Sequence, residues 1–341
     1  MYQKPPAKWF YGVDSIRFIL ALLVMLSHFD NVCADSLKHS VYLPVKLIGV
    51  FLANAFDGTL AVIAFFIISG FVIHYPCKRG IDNLLQFWLR RFLRILIPLA
   101  VIITIGTVLD HPEKTVTWSL FCELIYYALY PLLLKISLSW KTKFIIAWLV
   151  AALVIGIGSY HDVLAFLKQT NYNYHGYYWQ FGDYITWVIG LPCWLLGVLI
   201  AENIDHLKTI PFSKVLAYRL IVYIISCFCC FGKFHLHLSY LLSMNIFALL
   251  LYKWIQAEIV YYKSRQPNQS LEKMGKFSYS LYLCHPVVFL LLKRFILFNN
   301  FTYPFFVLLT IVAAYLFYLV VERPSHRLAR KINQKYFLQT Q

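Results

Sequence analysis

Long apolar runs recur along this chain, each near the ~20 residues that carry a helix across a bilayer core, with short polar turns between them. They fall at roughly 14–33, 58–76, 92–109, 118–138, 143–159, 184–201, 215–232, 236–256, 277–297 and 302–321. The pattern predicts an all-α, polytopic membrane protein of about ten transmembrane helices. The fourth run is the weakest, because it holds Glu123 and opens beside a polar turn. Residues 46–57 read as an interfacial helix leading into the second run. The turns leave no room for a sizeable soluble unit, so residues 1–341 are expected to form one transmembrane domain.

Composition agrees. Only 13% of the 341 residues are charged and 60% are hydrophobic, where a soluble domain has about a quarter charged. The net charge of +16 would suggest nucleic acid in a soluble protein. Here loop asymmetry and anionic lipid headgroups account for it, so membrane lipids are the expected partner and nucleic acid is not. Of the 31 Lys and Arg, 23 fall in segments on the side of both termini, from Lys4 and Lys8 to Lys335, and 7 on the other. Those seven are Lys38, Lys46, Lys114, Lys168, Lys233, Lys293 and Arg294; Arg17 lies inside the first run. The asymmetry predicts that both termini are cytoplasmic. The N-terminal stretch does not read as a signal peptide, because the run after it holds Arg17 and lacks a small-residue cleavage site. The eight cysteines mostly sit in apolar runs without a paired C-x-x-C, so they read as small buried hydrophobes and no metal site is expected.

The chemistry sits on intramembrane polar groups. Arg17 and His28 are eleven positions apart in the first run, with only Ser27 polar between them. At ~100° per residue this is three turns plus ~20°, so both side chains share one face, ~16 Å apart along the axis. Arginine within a span is costly and usually faces a polar interior. The bland alternative is snorkelling by Arg17 and end-capping by His28. With the termini inside, Arg17 lies near the cytoplasmic face, His28 and Glu123 in the outer half, and His285 near mid-membrane, so these groups can converge. Glu123 has no cation near it in sequence; a partner from another span is the favoured reading, protonation the other. Ser69-Gly70 lets helices approach closely. Arg91 and Arg94, i and i+3, either follow positive-inside bias or clamp phosphate with their guanidinium forks. The segment about 160–183 is the longest outer loop. Its tyrosines, Trp179, His175, Asn171 and Asn173 suit sugar rings and equally an interfacial aromatic belt. Pro286 makes a kink in the ninth run plausible. Glu322 and Arg323 are expected to form an interfacial ion pair.

Six segments in order carry a resemblance. They are Arg17-x10-His28 with Asp14 before it; Phe65-Phe66-x-x-Ser69-Gly70-Phe71; Arg91, Arg94 and Pro98; Trp118-Ser119-Leu120-x-x-Glu123; Ser278-Tyr279-Ser280-Leu281-Tyr282-Leu283-x-His285; and Glu322-Arg323-Pro324. Each is weak alone. Together, from Asp14 to Pro324, they are similar to the acyltransferase-3 family of membrane O-acyltransferases. Two departures stand out: Leu124, where many members carry a second acidic residue, and Cys284, where an aromatic residue is common. With 20 residues after the tenth run, no soluble SGNH domain of the kind some members carry is expected.

The resemblance implies transfer of an acyl group, often acetyl, from cytoplasmic acyl-CoA to a hydroxyl on an extracytoplasmic or lipid-linked saccharide, in the plasma membrane (a bacterial inner membrane). Acetyl-CoA is then a donor substrate, and no cofactor is permanently bound. On that reading Arg17, Arg91, Arg94 and Ser69 hold acyl-CoA. His28 is the general base, with a covalent acyl-histidine as the alternative, and Glu123 orients or stabilises its imidazole. His285, Tyr282, Trp118 and Trp179 line the acceptor side or a pore. The rivals are a transporter or flippase, in which Arg17, His28 and Glu123 form a substrate or proton path, and a structural scaffold, which leaves the one-face Arg and His unexplained. Nothing in the sequence selects the acceptor, the position acylated, the acyl chain or an oligomeric state.

Overall fold

The computed structural model describes residues 10–110, 116–171 and 173–337. Lys4, Lys8 and Lys114 of the charge count lie outside them. Among the described residues no strand occurs. The α-helices are α1 (Val13–His28), α2 (Val32–Lys38), α3 (Leu43–Ala53), α4 (Gly58–Cys77), α5 (Leu84–Val108), α6 (Thr117–Lys135), α7 (Trp140–Gly158), α8 (Tyr160–Lys168), α9 (Asp183–Asn203), α10 (Phe212–Leu236), α11 (Tyr240–Tyr261), α12 (Gln269–Gly275), α13 (Ser278–Phe295), α14 (Tyr303–Phe317) and α15 (Arg323–Phe337). Polar side chains set several starts. Asp57 Oδ1 caps α4 through Leu60 N–H at 3.0 Å, Asn83 caps α5 through Gln86 N–H at 3.0 Å, and Ser139 caps α7 through Thr142 N–H at 3.1 Å. Each satisfies an N–H that the first turn leaves without a helical partner.

By length and composition seven helices can cross a membrane, or nine if each of two bent pairs is one span. The bends measure 56° between α1 and α2 and 65° between α12 and α13. The first run therefore breaks after His28 rather than running straight to 33, and the bend in the ninth run falls before Ser278, with α13 passing unbroken through Pro286. α11 is the expected span that falls short of the hydropathy of the others. Its Asn245, Lys253, Gln256 and Glu258 lower its apolar character, yet it packs inside the protein, where such groups find partners. Buried Asn245 accepts from Tyr178 OH at 2.7 Å and donates to Ile189 O at 3.1 Å. The loop expected at 160–183 begins as a nine-residue helix, α8.

Neighbouring long helices alternate in direction. Gly58, opening α4, meets Ser27 at the end of α1. α10 and α11 are joined at one end by Arg219 and Glu258 and at the other by Lys233 over the Tyr240 ring. α4, α6 and α9 run the same way and form the centre of the core. Gly70 and Gly197 let α4 and α9 touch: a Cβ on Gly197 would stand 2.6 Å from Phe71 N, and one on Gly70 would overlap Trp194 O. The same three helices are stitched at their far ends by buried His74. Its two ring nitrogens lie 2.8 Å from Tyr130 OH and 2.7 Å from Glu202 Oε1.

Candidate active site

A cavity of about 110 Å³ opens between α1, α4, α5, α6 and α13. Six of the sequence candidates line it: Arg17, Ser69, Arg91, Arg94, Glu123 and Tyr282. The i, i+3 spacing of Arg91 and Arg94 puts both on the cavity face of α5, which begins eight residues before the apolar run it was read from. Arg17 enters from α1 and keeps a 3.4 Å contact with Asp14 one turn earlier. The Ser-Gly pair allows the close approach its sequence suggested, since Gly70 faces α9, and Ser69 beside it lines the cavity.

Glu123 departs from expectation. Among the described residues no cation lies within ion-pair distance of it. Its Oε1 accepts instead from Ser69 Oγ at 2.8 Å and, in a short contact, from Tyr127 OH. Tyr127 is four residues on, the spacing that places two side chains one above the other on a helix. Trp194 Nε1 donates to Ser69 Oγ at 3.3 Å, so a fixed chain of donors ends on one carboxylate oxygen.

Tyr282 leads out of the cavity. Its hydroxyl lies 2.6 Å from Ser119 Oγ, and its ring stands 6.3 Å from that of His285. His285 is fully buried, and its Nε2 lies 3.0 Å from Nδ1 of His28. The imidazole expected to meet Glu123 is thus paired with a second imidazole, because α13 runs beside α1 and brings His285 to the same height. Carbonyl oxygens assign the protons, since they only accept. His285 Nδ1 faces Leu281 O at 3.2 Å and carries hydrogen there, so its Nε2 accepts. His28 Nδ1–H then points at His285 and at Val24 O, 2.9 Å away. This tautomer places the lone pair of His28 on Nε2.

Trp118 and Trp179 come together as well. Their rings stack at 5.2 Å and 24°, and Tyr177 lies 4.9 Å from Trp179. Sequence reading missed what holds that segment. Buried Lys233 sits 3.8 Å above the Tyr177 ring and donates to His175 O at 3.3 Å. A lysine directly after an apolar run, with aromatic clusters on either side, was the available signal. Glu322 is also corrected. It is buried rather than interfacial, and it accepts from Ser280 N–H at 3.1 Å and Ser280 Oγ at 2.5 Å rather than pairing with Arg323. A π turn, Tyr318–Glu322, between α14 and α15 aims it inward. Among the described residues no cluster of three His, Cys, Asp or Glu side chains is placed to hold a metal ion.

A multi-pass helical membrane protein with three arginines and a tethered carboxylate around one cavity is the class these observations define. A family profile described as an acyltransferase domain, that of the acyltransferase-3 family, matches residues 10–321, and the chain belongs to that family. It is a membrane acyltransferase. No curated protein and no solved structure matches the chain.

Proposed function

We propose that this acyltransferase moves an acyl group, acetyl by preference, from cytoplasmic acyl-CoA to a hydroxyl of an extracytoplasmic or lipid-linked saccharide. It does so as a ten-span protein of a bacterial inner membrane with both termini inside. The observation that carries this reading is one line of groups. Three arginines, several hydroxyls and Glu123 line one cavity, and the His28–His285 pair continues from it beyond Tyr282. The rise from Arg17 to His28, ~16 Å, is of the order of a pantetheine arm. Arginine forks suit the donor's phosphates. The alternation of the ten long helices supports ten crossings, and the Lys/Arg bias supports the orientation.

The chemistry follows from the contacts. The acceptor hydroxyl attacks the thioester carbonyl as His28 Nε2 takes its proton; a C–O bond forms, the C–S bond breaks, and the leaving thiolate recovers the proton as CoA thiol. His285 holds the His28 ring in the tautomer that leaves Nε2 basic. Glu123 acts on the hydroxyls of Ser69 and Tyr127 rather than on the imidazole, fixing donors near the donor's carbonyl side. Trp118 and Trp179 offer a stacking surface to the acceptor ring.

The test uses purified protein with radiolabelled acetyl-CoA and cell-envelope glycans, wild type against His28→Ala. We expect label in glycan, reduced ~100-fold or more in the variant. Label trapped on wild-type protein points to a covalent acyl-enzyme. Full transfer by the variant removes His28 from catalysis. No hydrolysis or transfer with any acyl-CoA supplied moves the assignment to a transporter.

A further inference from the structure

A second and larger cavity, about 320 Å³, lies between α1, α10 and α11, away from the arginine-lined site. Its walls are Ile16, Leu20 and Leu23 of α1, Val222 and Ser226 of α10, and Leu60 of α4. Ile19 and Tyr223 also line it and are exposed on the outer surface, so the slot borders the lipid-facing side of the bundle. It runs along the helices from Gly12 to Leu23, eleven positions or ~16 Å. That length matches one leaflet of a ~30 Å hydrocarbon core.

The slot has a polar end and a closed end. At the polar end Arg219 Nε donates to Glu258 Oε1 at 2.6 Å, and Nη2 donates to Glu258 Oε2 at 2.8 Å and to Tyr262 OH at 3.4 Å. Glu258 is buried and also accepts from Trp254 Nε1 at 2.9 Å. A guanidinium has five N–H groups. The two on Nη1 have no partner among the described residues. At the other end Asp57 and Ala55 close the slot.

We propose that this slot seats one acyl chain of a membrane phospholipid, with the phosphate or glycerol ester oxygen of its head accepting from Arg219 Nη1. Long apolar walls with a few convergent polar groups are the general form of a small-molecule site. Glu258 neutralises Arg219, so the site offers directed donors rather than net positive charge. It therefore reads the chain and the phosphate and is indifferent to headgroup charge. Phosphatidylethanolamine and phosphatidylglycerol bind alike, and salt changes little. The inference does not depend on the acyl-transfer reading.

The slot is tested with brominated-chain phospholipids, which quench nearby tryptophan. Trp254 lines the slot. The quenched signal from either headgroup is expected to fall in Trp254→Phe. Ser226→Leu, which fills the slot, should weaken it at least about tenfold, since each methylene held out of an apolar site costs ~0.8 kcal/mol. Native mass spectrometry should show one retained phospholipid in wild type and none in Ser226→Leu. The paired variant Arg219→Gln/Glu258→Gln removes both charges together, so no lone buried carboxylate remains; it should weaken retention several-fold and gives the same readout if Ser226→Leu misfolds. Unchanged quenching in a folded Ser226→Leu protein overturns the proposal. So does a phosphatidylglycerol preference that salt abolishes, which marks a surface charge effect.

Discussion

The two cavities differ in how they treat arginine. In the larger slot a single arginine is held at both Nε and Nη2 by a buried glutamate and keeps only directed donors. In the smaller cavity Arg17, Arg91 and Arg94 line the wall; Arg17 keeps its 3.4 Å contact with Asp14, whereas Glu123 spends its Oε1 on hydroxyls and leaves Arg91 and Arg94 with no carboxylate at ion-pair distance among the described residues. Salt-bridged charge confers geometry; charge without a close counter-ion confers attraction for an anion. The same residue type thus stands as one half of a buried ion pair in one cavity and, at Arg91 and Arg94, without a carboxylate at ion-pair distance among the described residues in the other.

The sharpest way to break that contrast is to remove charge from each cavity in turn. Arg91→Gln or Arg94→Gln should raise the KM for acyl-CoA ~10- to 100-fold with kcat little changed, as expected for loss of one charge-assisted phosphate contact of ~1.5–3 kcal/mol. Arg219→Gln/Glu258→Gln should leave that KM where it is. A KM that moves equally in both sets would erase the distinction. Glu123→Gln comes next. It keeps the shape but weakens the acceptor for Ser69 and Tyr127, so kcat should fall about tenfold while donor KM holds. A KM effect alone would instead make Glu123 part of the donor seat. The smallest effect belongs to Tyr282→Phe. Losing its 2.6 Å contact with Ser119 is worth about 1 kcal/mol, a few-fold in rate. Steady-state kinetics on these five variants at two salt concentrations tests the set, with salt dependence predicted for donor affinity only.

Much of this arrangement was legible in the chain. Eleven-residue spacing predicted that Arg17 and His28 share a face, and i, i+3 spacing did the same for Arg91 and Arg94, because periodicity fixes which side of a helix a residue is on. It does not say which helix comes to that side. The depths predicted that His285 could converge with His28, and it does across 257 positions of sequence; that the two imidazoles pair directly, with Glu123 bonded to hydroxyls instead, was not readable from spacing. Glu123 itself was recognised as needing a partner, but hydroxyls within spans carry no charge signal to announce them. α11 marks the limit of hydropathy: an interior helix is free to be polar when Tyr178, Ile189 and Arg219 answer its polar groups. The slot left no mark in sequence at all, since its walls are ordinary apolar residues and its head is one ion pair between α10 and α11.

The π turn at Tyr318–Glu322 makes the end of the chain a matter of counting. An α-helix turns ~100° per residue, so one surplus residue sets the azimuth of everything that follows it. Deleting a single residue from that turn, with no change of composition to speak of, would swing α15 by about a quarter of a revolution relative to α14. Glu322 would leave Ser280, and Arg327 and Arg330 would point along a new heading. The bearing of the basic C-terminal helix is therefore set by a phase as well as by its packing, where Ser325 and Ala329 are buried.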